Sequence, residues 1–142
     1  MSEIRELGAR AKAASRVLMT ASAERKNRAL EAAAESLRHA ESEILKANAL
    51  DVERARGEGM GEAFIDRLTL TSGRIGAIAE GLLEVAALPD PVGELLERKR
   101  LSSGIELEKI SVPIGVIAVI FESRPNVAAD SAALCLKSGN AV

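Results

Sequence analysis

The sequence is poor in the residues that build many kinds of site. Its 142 residues include one cysteine, one histidine, two phenylalanines, no tryptophan and no tyrosine. A single cysteine excludes an intramolecular disulfide framework and a multi-cysteine zinc site. A single histidine excludes a histidine-rich metal cluster, so no metal is expected. With almost no aromatic surface, nucleotide bases would have little to stack on. Lys and Arg total 19 against 21 Asp and Glu, for a net charge of −2. That balance provides no basic field for a phosphate backbone, and nucleic acid is not an expected partner. The longest apolar run, Val112 to Phe121, contains Pro113 and Gly115 and is too short to span a bilayer. Near the N-terminus Arg5, Arg10, Lys12 and Arg16 mix with Glu3 and Glu6, and no apolar h-region follows. No membrane partner is expected, and the expected setting is the reducing cytoplasm.

What is present is alanine, at 25 residues, and helical periodicity. Ile4, Leu7, Ala11, Ala14 and Leu18 recur at steps of three and four, one face of an amphipathic helix. Ser22 is placed to cap a second helix, with Leu30, Ala33, Ala34 and Leu37 on its core face and Glu24 placed to pair with Arg28. A break near His39–Ser42 precedes a third helix through Ile44, Leu45, Ala49 and Val52. The glycines at 57, 59 and 61 end it. Glu62 to Leu68 reads as a short helix. Ser72 is placed to cap a longer one carrying Ile75, Ile78, Ala79, Leu82 and Ala86, which Pro89-Asp90-Pro91 stops.

Beyond Gly93 the pattern changes. Glu94–Leu101 and Ile105–Val112 flank Ser102-Ser103-Gly104 and read as a β-hairpin. Residues 114–121 form a β-branched apolar run that suits a strand buried on both faces. Glu122–Asn126 reads as a polar loop and Val127–Lys137 as a helix with Asn126 as its cap. Gly139 is its stop, and Asn140-Ala141-Val142 begins another strand. The fold class is α/β: a helical region over 1–92, a hairpin over 93–112, and the first strand–helix unit of a parallel sheet over 113–142. A doubly buried strand needs neighbours, so the chain is expected to be the N-terminal piece of a larger protein. The alternative is a small α+β domain in which the helices and hairpin cover the run.

Ser111-Val112-Pro113-Ile114-Gly115-Val116 through Glu122-Ser123-Arg124-Pro125-Asn126-Val127, with Leu136-Lys137-Ser138-Gly139-Asn140, closely resembles the γ-glutamyl phosphate reductase family. These enzymes are also called glutamate-5-semialdehyde dehydrogenases. Asp66-Arg67-Leu68-Thr69-Leu70, Asp90-Pro91-Val92-Gly93 and Ser103-Gly104-Ile105 agree with it. Pro113-x-Gly115-Val116 is shared with the wider aldehyde dehydrogenase superfamily. The resemblance covers essentially the whole chain. It implies an aldehyde dehydrogenase-like fold, with a nucleotide-binding sheet and a homo-oligomer joined through the hairpin. It also implies an NADPH-dependent reduction of L-glutamyl 5-phosphate to glutamate 5-semialdehyde in proline biosynthesis. The family's nucleophilic cysteine belongs to a segment unlike any in this chain, so these residues alone are expected to be inactive.

Four positions carry paired readings. Asn126 is a helix cap by position and, by resemblance, an oxyanion donor; capping through its oxygen would leave its NH₂ free. Arg124 has the shape for a substrate phosphate or carboxylate, or else pairs with Glu122 or with a segment outside this chain. Cys135, the single cysteine, invites a nucleophile reading, but between two leucines late in a helix it reads as a buried, inert thiol. The Lys137–Asn140 turn could lie near a cofactor, but it enters a strand at its N-terminal end, and Gly139 is explained as a helix stop. No residue is assigned to the cofactor. Gly57-x-Gly59-x-Gly61 follows no strand and is not a dinucleotide fingerprint, and His39 is given no function. Outside the family, the rival readings are a non-catalytic helical module that binds a partner, and another acyl or aldehyde reductase of the superfamily.

Overall fold

The computed structural model describes residues 3–142. Five helices come first: α1 (Glu3–Leu18), α2 (Ala23–His39), α3 (Glu41–Gly57), α4 (Glu62–Leu68) and α5 (Ser72–Ala87). A hairpin of β1 (Leu95–Arg100) and β2 (Glu106–Ile110) follows, then α6 (Asn126–Lys137). Ser22 caps α2 by accepting from the Arg25 N–H at 3.3 Å. The cap of α5 is Thr71, one residue before Ser72, accepting from the Arg74 N–H at 3.2 Å. Glu24 and Arg28 form no ion pair among the described residues.

The core lies where α2, α5 and α6 meet. Leu30 and Ala34 of α2 pack with Ala79, Leu82 and Ala86 of α5 and Ala133 of α6. Ala34 and Ala79 are completely buried, so these helices approach with no side chain longer than a methyl between them at those points. A smaller cluster joins Val52 and Ala55 of α3 to Ile65 of α4. Buried Asn48 ties the same elements together, donating to Leu68 O at 2.9 Å and accepting from the Leu70 N–H at 2.7 Å. It satisfies two backbone groups where α4 gives way to α5.

Charge is also buried in this core. Lys26 is 1% exposed and sits 2.5 Å from an Asp90 oxygen, an ion pair rather than a well-angled hydrogen bond. Burial pushes the Asp90 carboxyl up, but the Lys26 contact, the Val92 N–H and the charges of Lys26 and Lys137 bring it net below the ordinary carboxylate value. Next to Lys26, Asn27 accepts from Lys137 Nζ at 2.6 Å, and the same ammonium reaches Ala86 O at 2.8 Å.

The hairpin is antiparallel and exposed on both faces, with Leu95 opposite Ile110 and Arg98 opposite Glu108. Arg98 and Glu108 also pair at 2.5 Å. Its base is tied by Ser111, whose hydroxyl donates to Pro91 O and accepts from the Glu94 N–H at 3.2 Å.

Two expectations change. The helix α1 forms, but its apolar face is not a core face: Ile4 and Leu7 are exposed and Ser15 is its buried residue. Residues 114–121 are not a doubly buried strand. Ile120 is 99% exposed, and the run makes one parallel bridge, Val116 to Ala141. The Ile117 N–H meets Ala141 O at 2.9 Å and the Ala141 N–H meets Gly115 O at 2.9 Å. An extended segment becomes a strand through ladder partners, and this run has them only at Gly115–Ile117. The parallel relation expected of a strand–helix unit is nevertheless present in that bridge, with α6 as its crossover.

Candidate functional site

Residues expected to carry function gather at one cleft, between the α4–α5 connection and the start of α6. Its volume is about 480 Å³, and Arg67, Arg74, Arg124, Asn126 and Asp130 are among the residues lining it. Arg74 builds the wall. It pairs with Asp66 Oδ1 at 2.8 Å, donates to Thr69 O at 2.6 Å, and also reaches Asp66 O. Those bonds occupy carbonyls that the end of α4 leaves unpaired. With Asn48 on the other side, the end of α4, which bears Arg67, and the following Thr69 are held at both edges.

Arg124 stands on the opposite wall. It makes no ion pair among the described residues, with Glu122 or with any other acid. The preceding Ser123 holds a positive φ of 52°, a conformation that costs a non-glycine residue about 1 kcal/mol or more. Strain of this kind re-aims a chain sharply, here between the apolar run and α6.

Asn126 is not the cap of α6. Pro125 occupies the cap position, Asn126 is already helical, and no side chain caps the helix. Proline's fixed φ suits a helix start, which displaces the asparagine by one position. Its amide Nδ2 instead donates to Asp130 Oδ2 at 2.9 Å, one turn along. The NH₂ group is therefore not wholly free, although an amide carries two N–H bonds and Asp130 takes one.

Cys135 is 5% exposed in α6, and burial pushes its thiol up, away from the thiolate a nucleophile needs. The Lys137–Asn140 turn is built into the core. Asn140 accepts from the Gly115 N–H at 2.7 Å and donates to Ser138 O at 3.1 Å. Gly139 has a φ of +73°, and a Cβ there would meet Pro113 at 2.8 Å. It is thus more than a helix stop: only glycine lets the run beginning at Pro113 cross so closely. His39 Nδ1 lies 2.8 Å from Glu35 O on its own helix. Among the described residues no cluster of three metal-ligating side chains exists, and no helix is long and apolar enough to cross a membrane.

No protein-family model matches the chain. Curated sequences do. Gamma-glutamyl phosphate reductase of Rhodopseudomonas palustris strain HaA2 is 55% identical over 137 residues, covering 96% of this chain and 32% of that protein. The enzyme of the same name from Brucella anthropi is 53% identical over the same length. The crystal structure of gamma-glutamyl phosphate reductase from Thermotoga maritima superposes with a TM-score of 0.94 at 40% identity, covering 98% of this chain and 34% of that one. The chain is similar to γ-glutamyl phosphate reductase in both sequence and fold. The Saccharomyces cerevisiae reductase agrees, at a TM-score of 0.93 and 35% identity. The chain spans about a third of the length of the reductases it matches. The family motifs over Ser111–Val127 and Leu136–Asn140 therefore identified the relatives, and the α/β fold class holds with its helical region, hairpin and parallel bridge.

Proposed function

We propose that this chain forms part of an NADPH-dependent reductase of the cytoplasm that converts L-glutamyl 5-phosphate to L-glutamate 5-semialdehyde and phosphate. The observation that carries the reading is the 55% identity, across 137 of these residues, to a protein named gamma-glutamyl phosphate reductase. In this reading Arg124 holds an anionic group of the substrate. The second N–H of Asn126 stabilises the oxyanion that develops when the acyl carbon is attacked. A donor of this kind is worth about 3–4 kcal/mol in the transition state. The uncapped α6 start adds the positive end of a helix dipole to the same cleft.

The nucleophile of an acyl-cysteine route is not Cys135. A 5% exposed thiol raised by its surroundings is neither accessible nor ionised at neutral pH. The reading therefore requires a cysteine from outside these 142 residues. The same holds for the dinucleotide, which would supply the hydride when bound. Gly57, Gly59 and Gly61 join two helices, and Lys137 and Asn140 spend their polar atoms on the core. Neither group fits it.

The hairpin serves as an association element in this proposal. Its exposed Leu95, Leu107 and Ile110 and its open edges are surfaces a second copy would cover. A two-stranded hairpin is marginal by itself in water.

The deciding experiment assays NADPH oxidation dependent on glutamyl phosphate by the protein at its complete natural length and by residues 1–142 alone. Turnover by the first and none by the second is expected. Turnover by residues 1–142 alone, or none by the complete protein, defeats the proposal. Light scattering on the complete protein at micromolar concentration tests the hairpin, and a monomer would remove its assigned role.

A further inference from the structure

The charges in the cleft do not balance among themselves. Arg74 and Asp66 satisfy each other at 2.8 Å. That leaves the guanidinium groups of Arg67 and Arg124 with no acid partner, and the Asp130 carboxylate with no cation, among the described residues. Asp130 is not idle, because the Asn126 amide grips one of its oxygens at 2.9 Å and fixes its orientation. Two free cations and one oriented anion thus share a cleft of about 480 Å³, a volume typical of small-molecule sites. A site for phosphate alone has no use for that carboxylate, which would repel a dianion. A ligand carrying both signs matches it.

We infer that Arg67, Arg124 and Asp130 receive the zwitterionic α-amino-acid end of the substrate, carboxylate on the arginines and ammonium on Asp130. The inference rests on the reductase reading for the identity of that substrate. It narrows the assignment of Arg124 to a carboxylate and adds Arg67 and Asp130 as specificity residues. Guanidinium groups match a carboxylate in geometry, and an ammonium gives Asp130 a charge-assisted hydrogen bond. Asn126 gains a second task, positioning Asp130 while its remaining N–H points to other use. The uncapped start of α6 adds further attraction for the carboxylate.

The test is calorimetric titration of the complete natural-length protein with L-glutamate, with glutarate, which lacks only the ammonium, and with inorganic phosphate. Wild type should prefer L-glutamate over glutarate by about tenfold, the worth of one charge-assisted hydrogen bond. Asp130→Asn should abolish that preference by weakening L-glutamate while leaving glutarate bound, which also shows that the variant is folded. Arg67→Gln and Arg124→Gln should weaken both dicarboxylates alike, with inorganic phosphate little affected. An unchanged preference in Asp130→Asn, or no L-glutamate binding by wild type, overturns the inference. Loss of phosphate binding in Arg124→Gln with the dicarboxylates unaffected assigns the cleft to phosphate and also overturns it. Glutamyl phosphate turnover is read on the same samples. Turnover without an amino-acid preference defeats this assignment alone. An Asp130-dependent preference without turnover upholds the cleft and defeats the reductase reading.

Discussion

The α2–α5–α6 side of the molecule and the side formed by α1, the 114–121 run and the hairpin treat apolar residues in opposite ways. On the first, Leu30, Ala34 and Ala79 are at most 2% exposed, and even two lysines are buried and paired. On the second, Ile4 is 79% exposed and Ile120 99%. Yet Ile4 and Leu7 of α1 face Val116, Val119 and Phe121 across a cleft of about 400 Å³. The difference is not a lack of aliphatic residues, which both sides carry. It is whether the facing element packs against them closely enough to exclude solvent. Amphipathic pattern declares which side of a helix wants cover, and only the packing decides whether cover exists.

The comparison can be broken at several points. The largest effect is expected from Asp90→Asn, which strands the Lys26 charge in the core and should cost about 3–5 kcal/mol by denaturant unfolding. The pH dependence sharpens it. The folded Asp90 carboxyl lies below its ordinary value of 3.8, so its stabilisation is fully present above that value. It is lost as pH falls through the lower folded value. Acid unfolding curves of wild type and Asp90→Asn should therefore converge below about pH 3.8. Next comes Leu30→Ala, expected to cost about 2–5 kcal/mol through lost burial and a residual cavity. Cys135→Ala removes one buried sulfur and should cost about 1 kcal/mol, with turnover of the complete protein unchanged. Loss of turnover in a folded Cys135→Ala protein would reinstate it as a nucleophile.

The smallest stability effects belong to the open side and the cleft. Ile120→Ala should stay within about 0.5 kcal/mol of wild type in residues 1–142. The same substitution in the complete protein measures whether that face is covered there. Asn126→Ala should also move the melt by no more than about 0.5 kcal/mol, since no cap is lost. Its turnover should nevertheless fall by about 10²–10³-fold if the remaining N–H serves the oxyanion. A melt reduced by the ~1 kcal/mol typical of a lost cap would restore the capping role instead.

Local rules read most of the helices well. The range Glu62–Leu68, the Ser22 cap and the hairpin turn at Ser102–Gly104 follow from spacing and turn chemistry alone. Long-range partners stayed hidden. Nothing local distinguishes Asn48, one asparagine among helical residues, from a solvated one, yet it bonds backbone groups 20 and 22 residues away. Lys26 reads as a surface lysine until Asp90 is placed beside it. At the cleft, the family motif singled out Arg124 and Asn126 as candidates. Arg67, though inside the family-like Asp66–Leu70 segment, and Asp130 were not singled out, because only the fold brings α4 and α6 to one cavity. The spacing of four between Asn126 and Asp130 was the available signal, since it puts both on one helical face.

The adjacent residues Lys26 and Asn27 also impose an order on folding. Both belong to the second helix, but their partners arrive much later, Asp90 just past the fifth helix and Lys137 a full 110 residues beyond Asn27. During synthesis at about 5–20 residues per second, α2 waits roughly 5–20 seconds before Lys137 exists at all. Until α5 is made α2 has no lid; Lys26 gains its partner Asp90 just after that helix, and α6 closes the remainder only when Lys137 follows. Closure of the core is therefore a late, non-local event, slow in contact-order terms, and α2 spends the interval as a solvated helix whose apolar stripe is available to chaperones.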